Sequence, residues 1–280
     1  MRRVAPFLLL LACQSKEKPA LMASGQEPPL VVHPEKAADP EELGRILRMP
    51  VREIATRLGA LRAAGTSSLR MATGELLDET VALDVDARGD WHALRENSRE
   101  QGVEAWSAAD ELAVKMRYGK AVKRRPEGNE SDRLREDLLG DAAAYYDLVE
   151  RFAKTEDAGQ SQQAGRSARK VRLSLRSGSA SAPKDAPQWR KELKLEALDG
   201  SVLVDEKTGA PLLVELHARG SYSKGVLELR VRREIQQIGG VENIALPQDA
   251  IASPTRTRYE LEKRELLEGL ASDRSTSGRR

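Results

Sequence analysis

The sequence is poor in the residues on which small disulfide-rich domains and metalloenzymes depend. It has one cysteine, three histidines and ten aromatic residues (three Trp, five Tyr and two Phe) in a chain of 280. A single cysteine excludes an intramolecular disulfide, so the stability of the fold must come from its core. No two histidines have the spacing of metal ligands, and we therefore expect neither a metal site nor a cofactor.

The chain also lacks an excess of one charge and a long apolar segment. Its 46 basic and 44 acidic residues give a formal net charge of +2. This balance, without a stripe of one sign, argues against a nucleic-acid partner. The apolar run Val4–Ala12 is far shorter than the roughly 20 residues of a transmembrane helix. We expect no membrane-spanning segment.

The N-terminus combines positive charge, an apolar run and the only cysteine. Two arginines precede the run, and Leu10-Leu11-Ala12-Cys13 places the cysteine directly after it. This order resembles the signal peptide of bacterial lipoproteins. The resemblance implies that residues 1–12 are removed by cleavage between Ala12 and Cys13, and that Cys13 carries acyl chains such as palmitate. The membrane contact would then be lipid.

The residue after the cysteine bears on localisation. In enteric bacteria an aspartate at this position favours retention in the inner membrane, whereas this chain has Gln14. The lipoprotein resemblance therefore predicts a lipid-anchored protein of the bacterial cell envelope, with the outer membrane as its membrane and the periplasm as its compartment. Removal of Arg2 and Arg3 with the signal peptide would lower the formal net charge from +2 to zero.

Composition divides the remainder into three parts. Residues 13–39, polar and containing several prolines, are predicted to be the lipidated cysteine and a flexible tether. Residues 40–253 are predicted to form one domain. Residues 254–280 are predicted to be a charged, partly disordered tail, in which 256–270 is at most a marginal exposed helix.

Two segments of the predicted domain have helical spacing. Asp39 can cap a helix that begins with Pro40, and Pro50 divides it from a second apolar stripe that runs to Leu61 and ends at Gly65. The sequence thus predicts one bent helix or two short ones. A further helix, capped by Ser131, is predicted from apolar residues spaced three and four apart: Leu134, Leu138, Ala142, Tyr145, Val149 and Phe152.

Elsewhere apolar and polar residues alternate, as in strands that bury one face. The alternating segments are 79–88, 112–118, 171–176, 193–195, 202–204, 212–216 and 227–231. Turns are predicted at Asp199-Gly200, Lys207-Thr208-Gly209 and 220–225. Segments 156–169 and 177–188 are predicted to be surface connections, and Arg230, Arg232 and Arg233 a solvated outer face.

This order of elements resembles the half-barrel carrier and receptor proteins of bacterial lipoprotein transport and their lipid-binding relatives. The resemblance rests on the lipoprotein signal, the tether, the helix before the sheet, the inserted helix and the closing hairpin Val202–Leu216. The predicted fold class is therefore α+β. We expect a curved antiparallel sheet with one or two N-terminal helices and an inserted helix packed on its apolar face.

The same resemblance implies a concave sheet that shelters acyl chains or another apolar ligand. Candidate lining residues are Leu83, Val85, Trp91, Trp106, Val114, Met116 and Tyr118. Aromatic residues on strands also fill ordinary cores, and both interpretations stay open at this point.

No catalytic pattern stands out. The chain contains no HExxH, Walker-type phosphate loop or GxSxG sequence. Lys207-Thr208-Gly209 spells the KTG of penicillin-binding proteins, but a tight turn explains it. We predict a non-catalytic envelope lipoprotein that binds an apolar ligand or a protein partner at the membrane surface. The alternative is a structural or assembly lipoprotein with a packed core and no ligand, which contacts other envelope proteins.

Overall fold

The computed structural model describes residues 30–72, 77–139, 142–178, 180–223 and 225–253. Cys13 and the predicted tail helix 256–270 lie outside these ranges. The described residues form five α-helices, named α1 to α5: Pro40–Leu47, Val51–Leu58, Glu130–Leu139, Ala142–Val149 and Gln188–Glu192. Short 3₁₀ helices occupy Pro34–Lys36 and Glu150–Phe152. Among the described residues, no helix has the length and apolar character to cross a membrane.

Twelve strands of the described residues form one open sheet. In chain order, β1 to β12 are Leu61–Ala72, Leu77–Val85, Trp91–Asn97, Gly102–Ala108, Glu111–Met116, Val122–Arg124, Ala153–Gln163, Arg166–Leu175, Lys194–Asp205, Pro211–Tyr222, Gly225–Ile238 and Ile251–Ala252. Their order across the sheet is β12-β6-β5-β4-β3-β2-β1-β11-β10-β9-β8-β7. Neighbours are antiparallel except β12 and β6. The predicted α+β class with a curved antiparallel sheet is confirmed.

The first helix begins as its sequence predicts. The Asp39 side chain accepts hydrogen bonds from the backbone N–H groups of Glu41 and Glu42, at 3.0 and 3.1 Å, and Pro40 occupies the first helical position. These bonds satisfy amides that have no partner inside the helix. The predicted helical stripe from Val51 is too long, because α2 ends at Leu58 and Gly59, with φ of +81°, follows it.

Leu61 and Gly65, predicted as the end of that helix, belong to β1 instead. The predicted inserted helix corresponds to α3 and α4, which the structure describes on either side of residues 140–141. Ser131 lies inside α3 and does not cap it. Its hydroxyl accepts from Trp91 Nε1 at 3.0 Å and donates to Ser107 Oγ at 2.8 Å. This chain of bonds ties α3 to β3 and β4.

The helices cover one face of the sheet, which we call the inner face. Residues of α2 and α3 pack with those of β1 to β5 in one apolar cluster, and residues of α1 and α4 pack with those of β8 to β11 in another. Leu43, Leu83, Leu173 and Leu229, at 0% exposure, are representative of these clusters. Burial of such aliphatic side chains is the main stabilising contribution in a chain with one cysteine.

Two predicted connections are wrong. Asp199 and Gly200 do not form a turn but lie within β9, opposite His217 and Leu216 of β10. Residues 156–169 mostly belong to a hairpin of β7 and β8, in which β7 is an edge strand of the sheet. The predicted turn at Lys207-Thr208-Gly209 is confirmed between β9 and β10.

The segment before α1 lies against the body from Leu30 onward. The Leu30 amide donates to Glu53 Oε1 at 2.9 Å, and its carbonyl accepts from Arg57. Further along, the carbonyl of Ala38 accepts from the Thr155 hydroxyl at 2.6 Å, and Ala37 is fully buried. Residues 30–39, which the sequence assigns to the tether, therefore pack on α2 and β7.

Gly200 is expected to be intolerant of a side chain. A Cβ at this position would lie 2.4 Å from the carbonyl oxygen of Glu215 on β10, and a backbone atom in a sheet ladder has little freedom to move. Gly200→Ala should lower the free energy of unfolding by about 1–3 kcal/mol, the usual cost of overpacking. Urea unfolding followed by tryptophan fluorescence measures this change.

The matched control is Gly119→Ala. Its Cβ would meet no atom closer than 3.5 Å, so the free energy of unfolding should change by less than about 0.5 kcal/mol. Both substitutions restrict the unfolded chain in the same way. Equal stability of the two variants would contradict the tight β9–β10 approach.

Candidate functional site

The structure separates the seven residues predicted to line an apolar site. Leu83, Val85 and Trp91 come together in the cluster beneath α2 and α3, where Trp91 is 2% exposed. Val114 packs against the same cluster, and Met116, at the end of β5, is half-buried.

The other two point away from that cluster. Trp106 stacks on His92, with ring centroids 4.8 Å apart, and His92 lies opposite Asp84 and not among the core residues. Tyr118 is 77% exposed in the turn after β5, where its hydroxyl donates to Glu100 Oε2 at 2.9 Å. Five of the seven thus lie on the inner side of the sheet, Met116 by register with Val103 and the other four in or against the cluster that includes side chains of α2 and α3.

Polar bonds join the inner face to the helices above it. Arg95 donates to Glu79 Oε2 at 2.7 Å and to the carbonyl of Asp137, in α3, at 2.9 Å. The Tyr145 hydroxyl, in α4, donates to Ser67 Oγ at 3.1 Å. Because Ser67 and Glu79 lie on β1 and β2, these bonds hold both helices against the centre of the sheet.

The opposite face, which we call the outer face, contains a groove of about 910 Å³. We call it the outer-face groove. It crosses six adjacent strands, β2, β1, β11, β10, β9 and β8. Its side chains alternate along the strands with those of the core, and they are Thr66, Ser68, Asp78, Thr80, Lys170, Arg172, Asp199, Ser201, Glu215, His217, Arg230 and Arg232.

Register places these side chains in rows across the sheet. One row runs from Asp199 through His217 and Arg230 to Ser68. Side chains directly opposite on neighbouring strands lie about 5 Å apart at Cβ. The rows therefore bring together residues that are far apart in the chain.

Part of the charge in the groove is neutralised internally. Arg232 pairs with Glu215 across the β10–β11 ladder and with Glu234 on its own strand. These ion pairs raise the pKa of the Arg232 guanidinium, with the hydrogen bond to Glu234 as the largest cause, and Arg232 lowers the pKa of Glu234 in turn. One guanidinium and two carboxylates give this cluster a formal charge of one negative unit.

Other charged groups in the groove have no such partner. Within the part of the chain that the structure describes, four side chains of the groove form no hydrogen bond or ion pair: those of Lys170, Arg230, Asp78 and Asp199. The His217 ring is likewise unpaired and exposed. Unpaired charges gathered in a concavity are available for a charged partner.

Searches with the sequence found no matching family model, and no curated protein matches it. The fold is similar to that of solved bacterial structures at low identity. A chain of the MucA/MucB complex of Pseudomonas aeruginosa aligns with a TM-score of 0.26 and 15% identity over 76% of this chain and 59% of that chain. This protein thus spans about three fifths of the MucA/MucB chain.

Two other solved structures align with this chain over almost their full length. The lipoprotein LppX of Mycobacterium tuberculosis aligns with a TM-score of 0.31 and 14% identity over 73% of this chain and 100% of LppX. A LolA superfamily protein from Nitrosomonas europaea aligns with a TM-score of 0.23 and 8% identity over 78% of this chain and 96% of that chain.

The predicted basic outer face of β11 is partly wrong. Arg230 and Arg232 are exposed on the outer face, but Arg233 is 7% exposed and points inward, because consecutive residues of a strand alternate between faces. The described histidines do not assemble a metal site: within the described ranges, no three His, Cys, Asp or Glu side chains are grouped to hold an ion.

Proposed function

We propose that this protein is a non-catalytic lipoprotein of the bacterial cell envelope, anchored through Cys13, that acts by binding a protein partner at the membrane surface. The observation that carries the proposal is the contrast between the two faces of the sheet. The inner face is packed by the chain's own helices, whereas the outer-face groove presents unpaired charged side chains.

An apolar ligand between the sheet and the helices is the second candidate. The convergence of Leu83, Val85 and Trp91 under α2 and α3 favours it. A ligand there would have to displace side chains that already fill the space. It would also have to break the bonds from Arg95 and Trp91 to α3. Breaking buried polar bonds costs about 1–3 kcal/mol for each group left without a partner, which favours the protein-partner proposal.

Lipid content and cross-linking together test the choice. Native protein, purified from membranes in mild detergent, is expected to contain no non-covalent lipid in stoichiometric amount by mass spectrometry. A photo-cross-linking residue at position 217, in the groove, should give a defined protein adduct in cells. The same residue at position 144, exposed on α4, should not.

The outcomes separate the candidates. One tightly bound lipid per chain, with no adduct from position 217, would replace the partner proposal with that of an apolar-ligand carrier. Adducts of equal yield from positions 217 and 144 would show that the outer-face groove is not the binding surface.

A further inference from the structure

We infer that the outer-face groove binds an extended polar peptide segment of about seven residues, acidic at the end against β8 and basic at the end against β2. The inference rests on the proposed function, because it names the chemistry of the protein partner at the same groove. It is argued from the dimensions of the groove, the charges at its two ends and the polar groups between them.

The dimensions suit an extended chain that lies across the strands. Neighbouring strands are about 4.8 Å apart, so six of them give a groove about 24 Å long. On each strand the lining residues span three positions, which makes the groove narrower in that direction. Seven residues at about 3.4 Å each have the same length of about 24 Å.

The two ends of the groove carry opposite charge. At the β8 end, Lys170 and Arg172 provide two cations. Glu156 lies opposite Arg172 on β7, outside the lining, and its charge is balanced by the ion pair with Lys154. At the β2 end, Asp78 contributes an unpaired carboxylate beside the hydroxyl of Thr80. A segment with acidic residues at one end and basic residues at the other would form ion pairs at both ends of the groove. It could do so in only one orientation, with its acidic end against β8.

The middle of the groove offers hydrogen-bonding groups of both kinds. Arg230 and the hydroxyl of Ser68 can donate to peptide carbonyls, and Asp199 can accept from peptide amides. None of the described lining residues is Trp, Tyr or Phe. The groove therefore lacks the stacking surface that sugars and bases use, and a peptide backbone suits its chemistry better.

Three fluorescent, end-blocked heptapeptides test the inference on the full chain in detergent. Their sequences are Glu-Glu-Ser-Gly-Ser-Lys-Lys, Glu-Glu-Ser-Gly-Ser-Glu-Glu and Lys-Lys-Ser-Gly-Ser-Lys-Lys. Fluorescence anisotropy should show that the mixed-charge peptide binds roughly tenfold more tightly than either other peptide. Its affinity should fall when salt is raised, because the pairing is exposed to solvent.

Charge reversal at one end should change the preference. In the double variant Lys170→Glu, Arg172→Glu, the all-lysine peptide should become the tightest binder, by roughly tenfold. Asp78→Lys is a second variant at the other end, and it should favour the all-glutamate peptide. Arg219→Glu is the matched control, since this exposed outer-face arginine lies outside the groove and should leave the order unchanged. Circular dichroism checks that each variant is folded.

Equal binding of the three peptides, or an order that the groove variants do not alter, would overturn the inference. Tighter binding of polygalacturonate than of any peptide would assign the groove to an anionic glycan instead. A position-217 adduct without peptide preference would leave the proposed function standing and remove only this inference.

Discussion

Asp205→Asn is expected to lower the free energy of unfolding by about 3–5 kcal/mol at neutral pH, the usual cost of breaking a buried ion pair. The Asp205 carboxylate is 1% exposed at the end of β9. It accepts two hydrogen bonds from Arg166, one from the Lys207 amide, and two from the amide and hydroxyl of Thr208. An asparagine would keep one oxygen and leave the Arg166 guanidinium without its counter-charge.

The loss should depend on pH. Burial opposes ionisation of Asp205, but hydrogen bonds from Arg166 and Thr208 outweigh it and hold the pKa of the carboxyl below its usual value. A carboxyl with a lowered pKa in the folded state stabilises it fully above the ordinary pKa of about 3.9. That stabilisation is lost as pH falls through the lower, folded-state pKa. The difference between the native chain and Asp205→Asn should therefore narrow in acid.

Urea unfolding at pH 7 and at a series of lower pH values measures both effects. Glu228→Gln is the control, because Glu228 is 41% exposed and its distance to Arg70 is 3.7 Å. An exposed pair of this kind contributes at most about 1 kcal/mol. If Asp205→Asn were no more destabilising than Glu228→Gln, the hydrogen bonds and ion pair of the Asp205 carboxylate would not stabilise the fold as predicted.

Cys13→Ser is expected to move the protein from the membrane fraction to the soluble fraction or to leave its signal peptide uncleaved. Each methylene of an acyl chain buried in the bilayer contributes about 0.8 kcal/mol, and two or three chains give durable attachment. A serine has no thiol to acylate, so all of this attachment is lost. Cell fractionation and intact-mass measurement report anchoring and processing together.

Ser15→Ala is the matched control, since it changes a hydroxyl two residues away and keeps the sequence from Leu10 to Cys13. It should fractionate with membranes and carry the same acyl mass as the native protein. Unchanged mass and fractionation of Cys13→Ser would contradict lipidation, and the envelope localisation proposed from it would fall with it.

The strands that could be predicted from the sequence are those in which large aliphatic residues alternate with polar ones. Residues 79–85 and 227–231 are examples, because helices cover only one of their faces. In the first half of β1, small residues such as Ala63 and Gly65 face the core. Leu61 is the one large residue facing the core in that half, which is too few to mark a period of two, and its spacing from Leu58 is typical of a helix.

The edge strand β7 could not be predicted for the opposite reason. Most of its residues are exposed, on both faces of the strand, and it has a strand on one side only. Polar residues on both faces look like a loop. The pair Asp199-Gly200 is typical of a turn in sequence. In the structure, the close approach of β10 is the reason that position 200 is a glycine.

The outer-face groove could not be predicted without knowledge of the register of the sheet. Asp78, Lys170 and Arg230 come from three distant segments, and only the pairing of β1 with β11 brings their strands into one surface. The sequence did indicate that Arg230 and Arg232 face solvent. It could not indicate that they share a concavity with residues of five other strands.

The docking of the chain at Leu30 limits how far the protein could act from its anchor. Leu30 is bonded to Glu53 and Arg57 of α2, so only the stretch from Gln14 to Pro29 would separate the body from an acylated Cys13. At no more than about 3.6 Å for each residue, this stretch spans roughly 58 Å at most. With Cys13 acylated, Leu30 would therefore stay within that distance of the bilayer, and a partner would have to come within this distance plus the size of the folded body.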